Sequence, residues 1–358
     1  MATVRDATFE VLRRHGLTTL FANPGSTEVG FLAGLPDDIR FVLALHEGSV
    51  VGLATGWALA RDAPALVNLH TTAGLGNAVG ALATARANRA ALVVLVGQQD
   101  RRHLAAEPFL AGRLRDLAGS YPVSVEEPVL ATEVPGAVVR AAHRATLGRG
   151  PALVIVPSDD WAASMDQVAE ITAAGPLLQT VAAGPVAVGE LADLLIAATQ
   201  PAIVVGAGAD SAPAWAALVE LAERLGAPVW QEPFGARAGF PQDHRCFAGH
   251  LPASRGRLRA ALAGHDLVVA IGAPVFRQYP FEPGGLVGAG TRLAVLTDDP
   301  AEAGRSPVQL AVLGPLAPAC QLLADLVAKA PTRAPHPAPV GGPPRSSSTT
   351  PRAPHGPD

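Results

Sequence analysis

Thr19-Leu20-Phe21-Ala22-Asn23-Pro24-Gly25-Ser26-Thr27-Glu28 passes from an apolar strand-like run, through a Pro-Gly turn, into polar residues suited to a helix start. That is the strand-turn-helix unit of an open sheet, whose ligands bind beyond the carboxyl ends of its strands. The same alternation continues outward from it. Strands are predicted at Thr19–Ala22, Phe41–Leu45, Ala65–Leu69, Leu92–Val96, Val123–Val125 and Leu153–Val156. Several are apolar throughout, as strands covered by helices on both faces should be. Helices are predicted at Ala2–Arg14 (stopped by Gly16), Thr27–Ala33 (capped by Ser26), Gly48–Arg61, Gly74–Asn88 and Glu133–Leu147. Residues 1–165 should therefore form a doubly wound parallel α/β sheet.

After the mixed stretch Ser164–Ala183 a second α/β unit is expected over residues 180–329. Its strands fall near Ala202–Val205, Pro228–Trp230, Leu267–Ile271, Arg292–Leu296 and Gln309–Val312, with helices at Glu190–Ala198, Pro213–Leu225 and Pro318–Ala330. From residue 330 a Pro-rich tail is expected to be disordered. Nine of the last 28 residues are proline and Val340 is the only aliphatic larger than alanine, too little apolar surface to offset ordering entropy. Read one base out of frame, codons compatible with Pro344–Pro351 spell Glu-Val-Val-Val-Asp-Asp-Ala, so a frame change in the tail is one expectation.

Composition narrows the function classes. The 358 residues are 49% hydrophobic, enough for two cores of ordinary size. With 27 basic and 31 acidic side chains the net charge is −4, which offers no field for a polyanion, so nucleic acid is not an expected partner. Cys246 and Cys320 are too few and too far apart for a disulfide framework or a zinc site, and a reducing cytoplasm fits them. No apolar run approaches the ~18 residues of a membrane span. Lys329 is the only lysine and sits beside the tail, which argues against Schiff-base chemistry.

Chemistry-bearing residues gather at one sheet edge. Ser26 is either an N-cap or a ligand for a carboxylate or phosphate at a helix end. Glu47 follows the second strand and opens the nearly uncharged helix Gly48–Arg61, which is expected to be buried. It is either a helix-dipole partner or, with its pKa raised by burial, a proton-transfer group. His70 ends the third strand beside Ala73-Gly74-Leu75-Gly76-Asn77 and is either structural or a titrating imidazole. The fourth strand ends in Gly97-Gln98-Gln99. A polar group at the end of each successive strand points to a small-molecule site.

Asn23-Pro24-Gly25-Ser26, His46-Glu47, His70 with Ala73–Asn77, and Gly97-Gln98-Gln99 resemble the pyrimidine-binding domain of thiamine-diphosphate-dependent 2-oxo acid enzymes, with the benzoylformate decarboxylase subfamily as the nearest likeness. Pro201–Gly206, Ala227–Trp230 and Ile271–Arg277 resemble the central domain of that family. The resemblance implies thiamine diphosphate as cofactor, with Mg²⁺ held by ligands outside this chain, and a small 2-oxo acid as substrate. It implies that Glu47 bonds the pyrimidine nitrogen and promotes loss of the thiazolium C2 proton. Ser26 would hold the substrate carboxylate or hydroxyl, and His70 would move protons. Asn23, Gly25, Gly74 and Asn77 would shape the cofactor pocket, and Phe109 and Leu110 the aromatic end of the substrate pocket.

Two departures qualify the likeness. Tyr279 stands where a second catalytic histidine is expected, which leaves other aryl or branched substrates open. No Gly-Asp-Gly metal motif occurs. The chain is therefore expected to be the N-terminal portion of a decarboxylase, inactive alone, completed by a homo-oligomer or a complementary diphosphate-binding domain. A carboligase fragment and a non-catalytic remnant that joins a full-length relative are the alternatives. Exposed apolar surface is expected around the strand ends. Gly206-Ala207-Gly208-Ala209-Asp210 lacks the third glycine of a dinucleotide fingerprint and reads as a plain turn.

Overall fold

A computed structural model of the protein describes residues 2–165 and 182–333. The expectations for residues 166–181 and for the tail from residue 334 lie outside the described residues. The chain divides into two units, Met1–Gln179 and Thr180–Asp358.

In the first unit six strands form one parallel sheet: β1 (Thr19–Asn23), β2 (Arg40–Leu43), β3 (Ala65–Leu69), β4 (Leu92–Gln98), β5 (Ser124–Glu126) and β6 (Pro151–Pro157). Their order is β2-β1-β3-β4-β6-β5. The helices are α1 (Val4–Arg14), α2 (Val29–Leu32), α3 (Glu47–Arg61), α4 (Thr71–Ala87) and α5 (Val134–Gly148). Alternate strand residues feed separate cores. Leu20, Ala22, Leu66, Val93, Leu95 and Val154 pack with α1 and α5. Phe21, Val67, Leu69, Val94, Val96 and Leu153 pack with α3 and α4. Burial on both faces is why these strands lack polar alternation. The chain leaves β1 for one side of the sheet and reaches β3 on the other, so the topological switch lies between their carboxyl ends.

The second unit holds β7 (Pro201–Val205), β8 (Val229–Gln231), β9 (Phe247–His250), β10 (Leu267–Ile271), β11 (Arg292–Thr297) and β12 (Leu310–Leu313). Its order, β12-β11-β10-β7-β8-β9, is that of a dinucleotide-binding fold. Helices α6 (Pro185–Ala197), α7 (Ala212–Leu225), α8 (Arg255–Ala261), α9 (Pro300–Arg305) and α10 (Leu316–Val327) cover it. Its switch point is filled by backbone. Gly208 N–H donates to Gly272 O at 3.0 Å, and a Cβ on Gly206 would stand 2.6 Å from that same oxygen. The Gly206–Asp210 turn is accordingly a packing contact between two loops.

Several expectations need correction. The helix predicted over Thr27–Ala33 divides into a 3-10 turn, Ser26–Glu28, and the short α2. The second strand ends at Leu43, before Leu45, where its register with β1 stops at the Ala22–Leu43 pair. Helix α3 is buried on one face only: Val50, Val51, Ala54 and Ala58 meet the sheet while Gly52, Leu53 and Gly56 are exposed. β9, α8 and α9 have no counterpart in the sequence reading, being short and weakly patterned. Arg333, within the expected tail, still packs on the second unit: its N–H donates to Arg224 O at 3.1 Å and its guanidinium to Ile196 O at 2.5 Å.

Asp266 illustrates how the second sheet is tied. It accepts Thr199 N–H at 2.7 Å and Gln200 N–H at 2.8 Å, joining the start of β10 to that of β7. Burial pushes its carboxyl up, but the bonds from Thr199 and Gln200 outweigh burial and hold it below the usual carboxylate range. A depressed folded pKa contributes stability above the unfolded pKa and loses it as pH falls through the folded one. Asp266→Asn should therefore cost ~1 kcal/mol in β7 and β10 at neutral pH. The deficit should shrink below about pH 3, read by amide hydrogen exchange in those strands.

Candidate active site

The site lies at the switch point of the first unit, where the loops after β1 and β3 face each other. Glu47 opens α3, and His46 is its N-cap, with Nδ1 accepting Gly48 N–H at 3.0 Å. Glu47 is 7% exposed. Asn23 Nδ2 donates to Glu47 Oε1 at 2.9 Å and Asn77 Nδ2 to Oε2 at 3.1 Å. The two asparagines expected to shape the cofactor pocket thus act on Glu47 itself.

Burial pushes the Glu47 carboxyl up, but its own backbone N–H, the Asn77 and Asn23 amides and His46 more than offset it, leaving its pKa below the ordinary value. The expectation of a raised pKa is overturned. The helix N-terminus and two aimed amides stabilise the ionised form more than desolvation penalises it. A carboxylate has about four acceptor positions, so one directed bond remains available to a further donor.

Gly74 lets α4 approach this carboxylate, since a Cβ there would lie 3.3 Å from Leu69 C and 3.6 Å from Glu47 Cγ. Its N–H donates to His70 O at 2.5 Å. Thr71, between them, adopts φ +37°, a strained value for a β-branched residue, and turns the chain from β3 into α4. Its buried Oγ1 has no partner.

Ser26 does not cap a helix. Gly25 occupies the cap position, Ser26 is exposed, and the carboxylate of Glu28 accepts Gly25 N–H at 2.8 Å. Gly25 borders His70, whose Nδ1 lies 2.9 Å from Glu28 Oε2 and 3.0 Å from Thr27 Oγ1. Glu28 and Thr27 were missed in the sequence reading. The available signal was Glu28 three residues after the cap, the spacing of a capping box.

Gln98 and Gln99 fix a third wall. Gln98 Nε2 donates to Gly112 O at 2.7 Å while its Oε1 accepts Gly112 N–H at 3.0 Å. Gln99 Nε2 donates to Phe109 O at 2.8 Å. The two amides hold the loop bearing Phe109, whose side chain is 87% exposed, and Leu110, which sits at φ +70°. Leu45 (87%), Val29 (60%) and Leu43 (56%) add exposed apolar surface near the ends of β1 and β2, as expected. Tyr279 belongs to the second unit and is 87% exposed.

The site thus sets a carboxylate held by two amides on the same sheet edge as an imidazole that contacts a second carboxylate, two groups of the kinds that serve in general acid–base chemistry. Residues 2–116 match the thiamine pyrophosphate enzyme N-terminal TPP binding domain, and residues 188–323 match the thiamine pyrophosphate enzyme central domain. The chain belongs to the thiamine pyrophosphate enzyme family. It is 42% identical to benzoylformate decarboxylase of Pseudomonas aeruginosa, over 91% of this chain and 62% of that one. The structure of a thiamine diphosphate-dependent 4-hydroxybenzoylformate decarboxylase from Rhodococcus jostii superposes with a TM-score of 0.88 at 40% identity, covering 94% of this chain and 64% of the other. Benzoylformate decarboxylase from Polynucleobacter necessarius gives a TM-score of 0.88 at 35% identity, covering 98% of this chain and 66% of the other. The chain thus spans less than two thirds of the length of each of these relatives.

Proposed function

We propose that this polypeptide supplies the pyrimidine-side, proton-handling half of a thiamine-diphosphate-dependent decarboxylase of benzoylformate-like 2-oxo acids. The observation that carries the reading is the Asn23–Glu47–Asn77 clamp. It holds an ionised, nearly buried carboxylate with one acceptor position left, which fits the protonated ring nitrogen of an aminopyrimidine. When bound, thiamine diphosphate supplies the electron sink for loss of carbon dioxide from a 2-oxo acid.

The residues of this chain have separate tasks. Glu47 holds a proton at the pyrimidine nitrogen, while Asn23 and Asn77 fix its orientation. His70 moves protons at its free ring nitrogen. Ser26, exposed on the turn, binds the substrate carboxylate or hydroxyl. Phe109 and Leu110 face the aryl group, on a loop that Gln98 and Gln99 keep in place. Among the described residues no group of three His, Cys, Asp or Glu side chains could hold a metal ion. Diphosphate and metal binding is proposed to come from a complementary domain, or from a partner in a homo-oligomer. The exposed apolar residues around the strand ends support such a contact. No helix among the described residues is long and apolar enough to cross a membrane, and a cytoplasmic setting is part of the proposal.

Calorimetric titration of the chain with thiamine diphosphate and Mg²⁺ tests the reading, first alone and then with a separately expressed diphosphate-binding domain. Cofactor binding and carbon dioxide release from benzoylformate are expected only with that domain. No binding in either case refutes the proposal.

A further inference from the structure

Glu28 is a buried carboxylate that the proposed function leaves without a task. It is 1% exposed, and three groups converge on it. Gly25 N–H donates to Oε2 at 2.8 Å, the Thr27 hydroxyl donates to Oε1 at 2.5 Å, and His70 Nδ1 lies 2.9 Å from Oε2. An ionised carboxylate only accepts, so the hydrogen between Glu28 and His70 belongs to the ring. Nδ1 then carries the proton, and a neutral His70 keeps its lone pair on Nε2. Thr27 does not compete, because its hydroxyl hydrogen is directed to Glu28 while its oxygen lies 3.0 Å from the same ring nitrogen.

Two glycines leave room for this arrangement. A Cβ on Gly97 would stand 1.8 Å from Glu28 Oε1 and 2.5 Å from Thr27 Oγ1. A Cβ on Gly25 would stand 2.5 to 2.6 Å from three atoms of the His70 ring. β1, β3 and β4 lie side by side in the sheet, so three adjacent strand ends build one contact. The strained Thr71, directly after His70, completes the setting.

We propose that Glu28 is a positioning residue that fixes His70 as the Nδ1–H tautomer and leaves Nε2 free for proton transfer. The value of that tautomer to catalysis rests on the proton-moving role of His70 given above; the tautomer itself does not. A purely structural role, capping the turn through Gly25 N–H, predicts something else. Gln still caps Gly25 N–H through a carbonyl in the Oε2 position, which puts its NH₂ against the Thr27 hydroxyl; that hydroxyl loses its acceptor and donates instead to Nδ1, 3.0 Å away, which favours the Nε2–H form.

The test uses the full chain labelled with ¹⁵N-histidine, with His70 assigned by the signal missing from His70→Asn. Two-bond ¹H–¹⁵N correlation spectra are taken where the ring is neutral. The wild type should show Nδ1–H, Glu28→Gln should convert His70 mainly to Nε2–H, and Glu28→Asp should retain Nδ1–H. An Nε2–H wild type, or a Gln variant with an unchanged tautomer, overturns the inference. Should Glu28→Gln not fold, the wild-type spectrum alone decides. With the diphosphate-binding domain present, Glu28→Gln should also lower kcat by about 10²-fold or more with little change in KM. A tautomer switch without loss of kcat supports positioning by Glu28 and refutes proton transfer by His70.

Discussion

Glu47→Gln should lower decarboxylation, measured with thiamine diphosphate, Mg²⁺ and a diphosphate-binding domain, by about 10²- to 10⁴-fold, the range of a lost general acid–base group. The substitution changes almost no volume, so the loss is chemical. A carboxamide cannot hold a proton at the pyrimidine nitrogen as an ionised carboxylate does. The clamp aggravates the effect. Asn23 and Asn77 each direct an NH₂ group at one Glu47 oxygen. In a glutamine one of those positions becomes an NH₂, which leaves two donors facing each other at a cost of about 1–3 kcal/mol. Glu47→Asp keeps the charge but withdraws it from both amides, and intermediate activity is expected. Calorimetry separates the outcomes. Glu47→Gln that binds cofactor normally and turns over like the wild type would end the proposed role of Glu47. The companion variant Asn77→Asp places a second negative charge beside Glu47 and should weaken cofactor binding as pH rises.

The sheet was legible in the sequence because its strands are apolar on both faces and separated by helices of clear period. Ala65–Leu69 and Leu267–Ile271 were read to the residue for that reason. The edge strand β9 escaped because its four residues are only half-buried or exposed. At the site, Glu47 and His70 were readable as polar endings of apolar strands. What they touch was not. Whether burial or hydrogen bonding governs the Glu47 pKa depends on where Asn23 and Asn77 point, and these lie 24 and 30 residues away. Glu28 was hidden by proximity to Ser26. Sequence places both near a turn, and only the fold shows that the glutamate points inward while the serine faces outward. Gly97 likewise reads as a strand end until the carboxylate beside it is seen.

Arg101→Met should destabilise the first unit by about 3–5 kcal/mol at neutral pH, because it strands a buried charge. Asp160 is 1% exposed and is gripped through Arg101 Nε at 2.7 Å and Nη2 at 2.5 Å, while Arg101 Nη1 donates to Val129 O at 2.6 Å. Burial pushes the Asp160 carboxyl up, and Arg101 partly opposes that rise. Without the guanidinium the carboxyl climbs further. An acid with a raised folded pKa is best accommodated below its unfolded pKa, and its contribution is lost as pH rises through the folded value. The penalty of Arg101→Met should therefore be full at neutral pH and fade below about pH 4. Hydrogen exchange in β4 and β6 reads this unit separately from the second. Arg101→Met combined with Asp160→Asn removes both charges and should recover most of the loss. If the two substitutions instead add, the pairing argument fails. The consequence reaches the site, because Asp160 begins the turn that carries Trp161, whose ring packs tilted against that of Phe31 of α2, centroids 4.6 Å apart. Helix α2 follows directly on Glu28, so loosening this pair should release the turn that orients His70, and activity should fall with the local stability of α2.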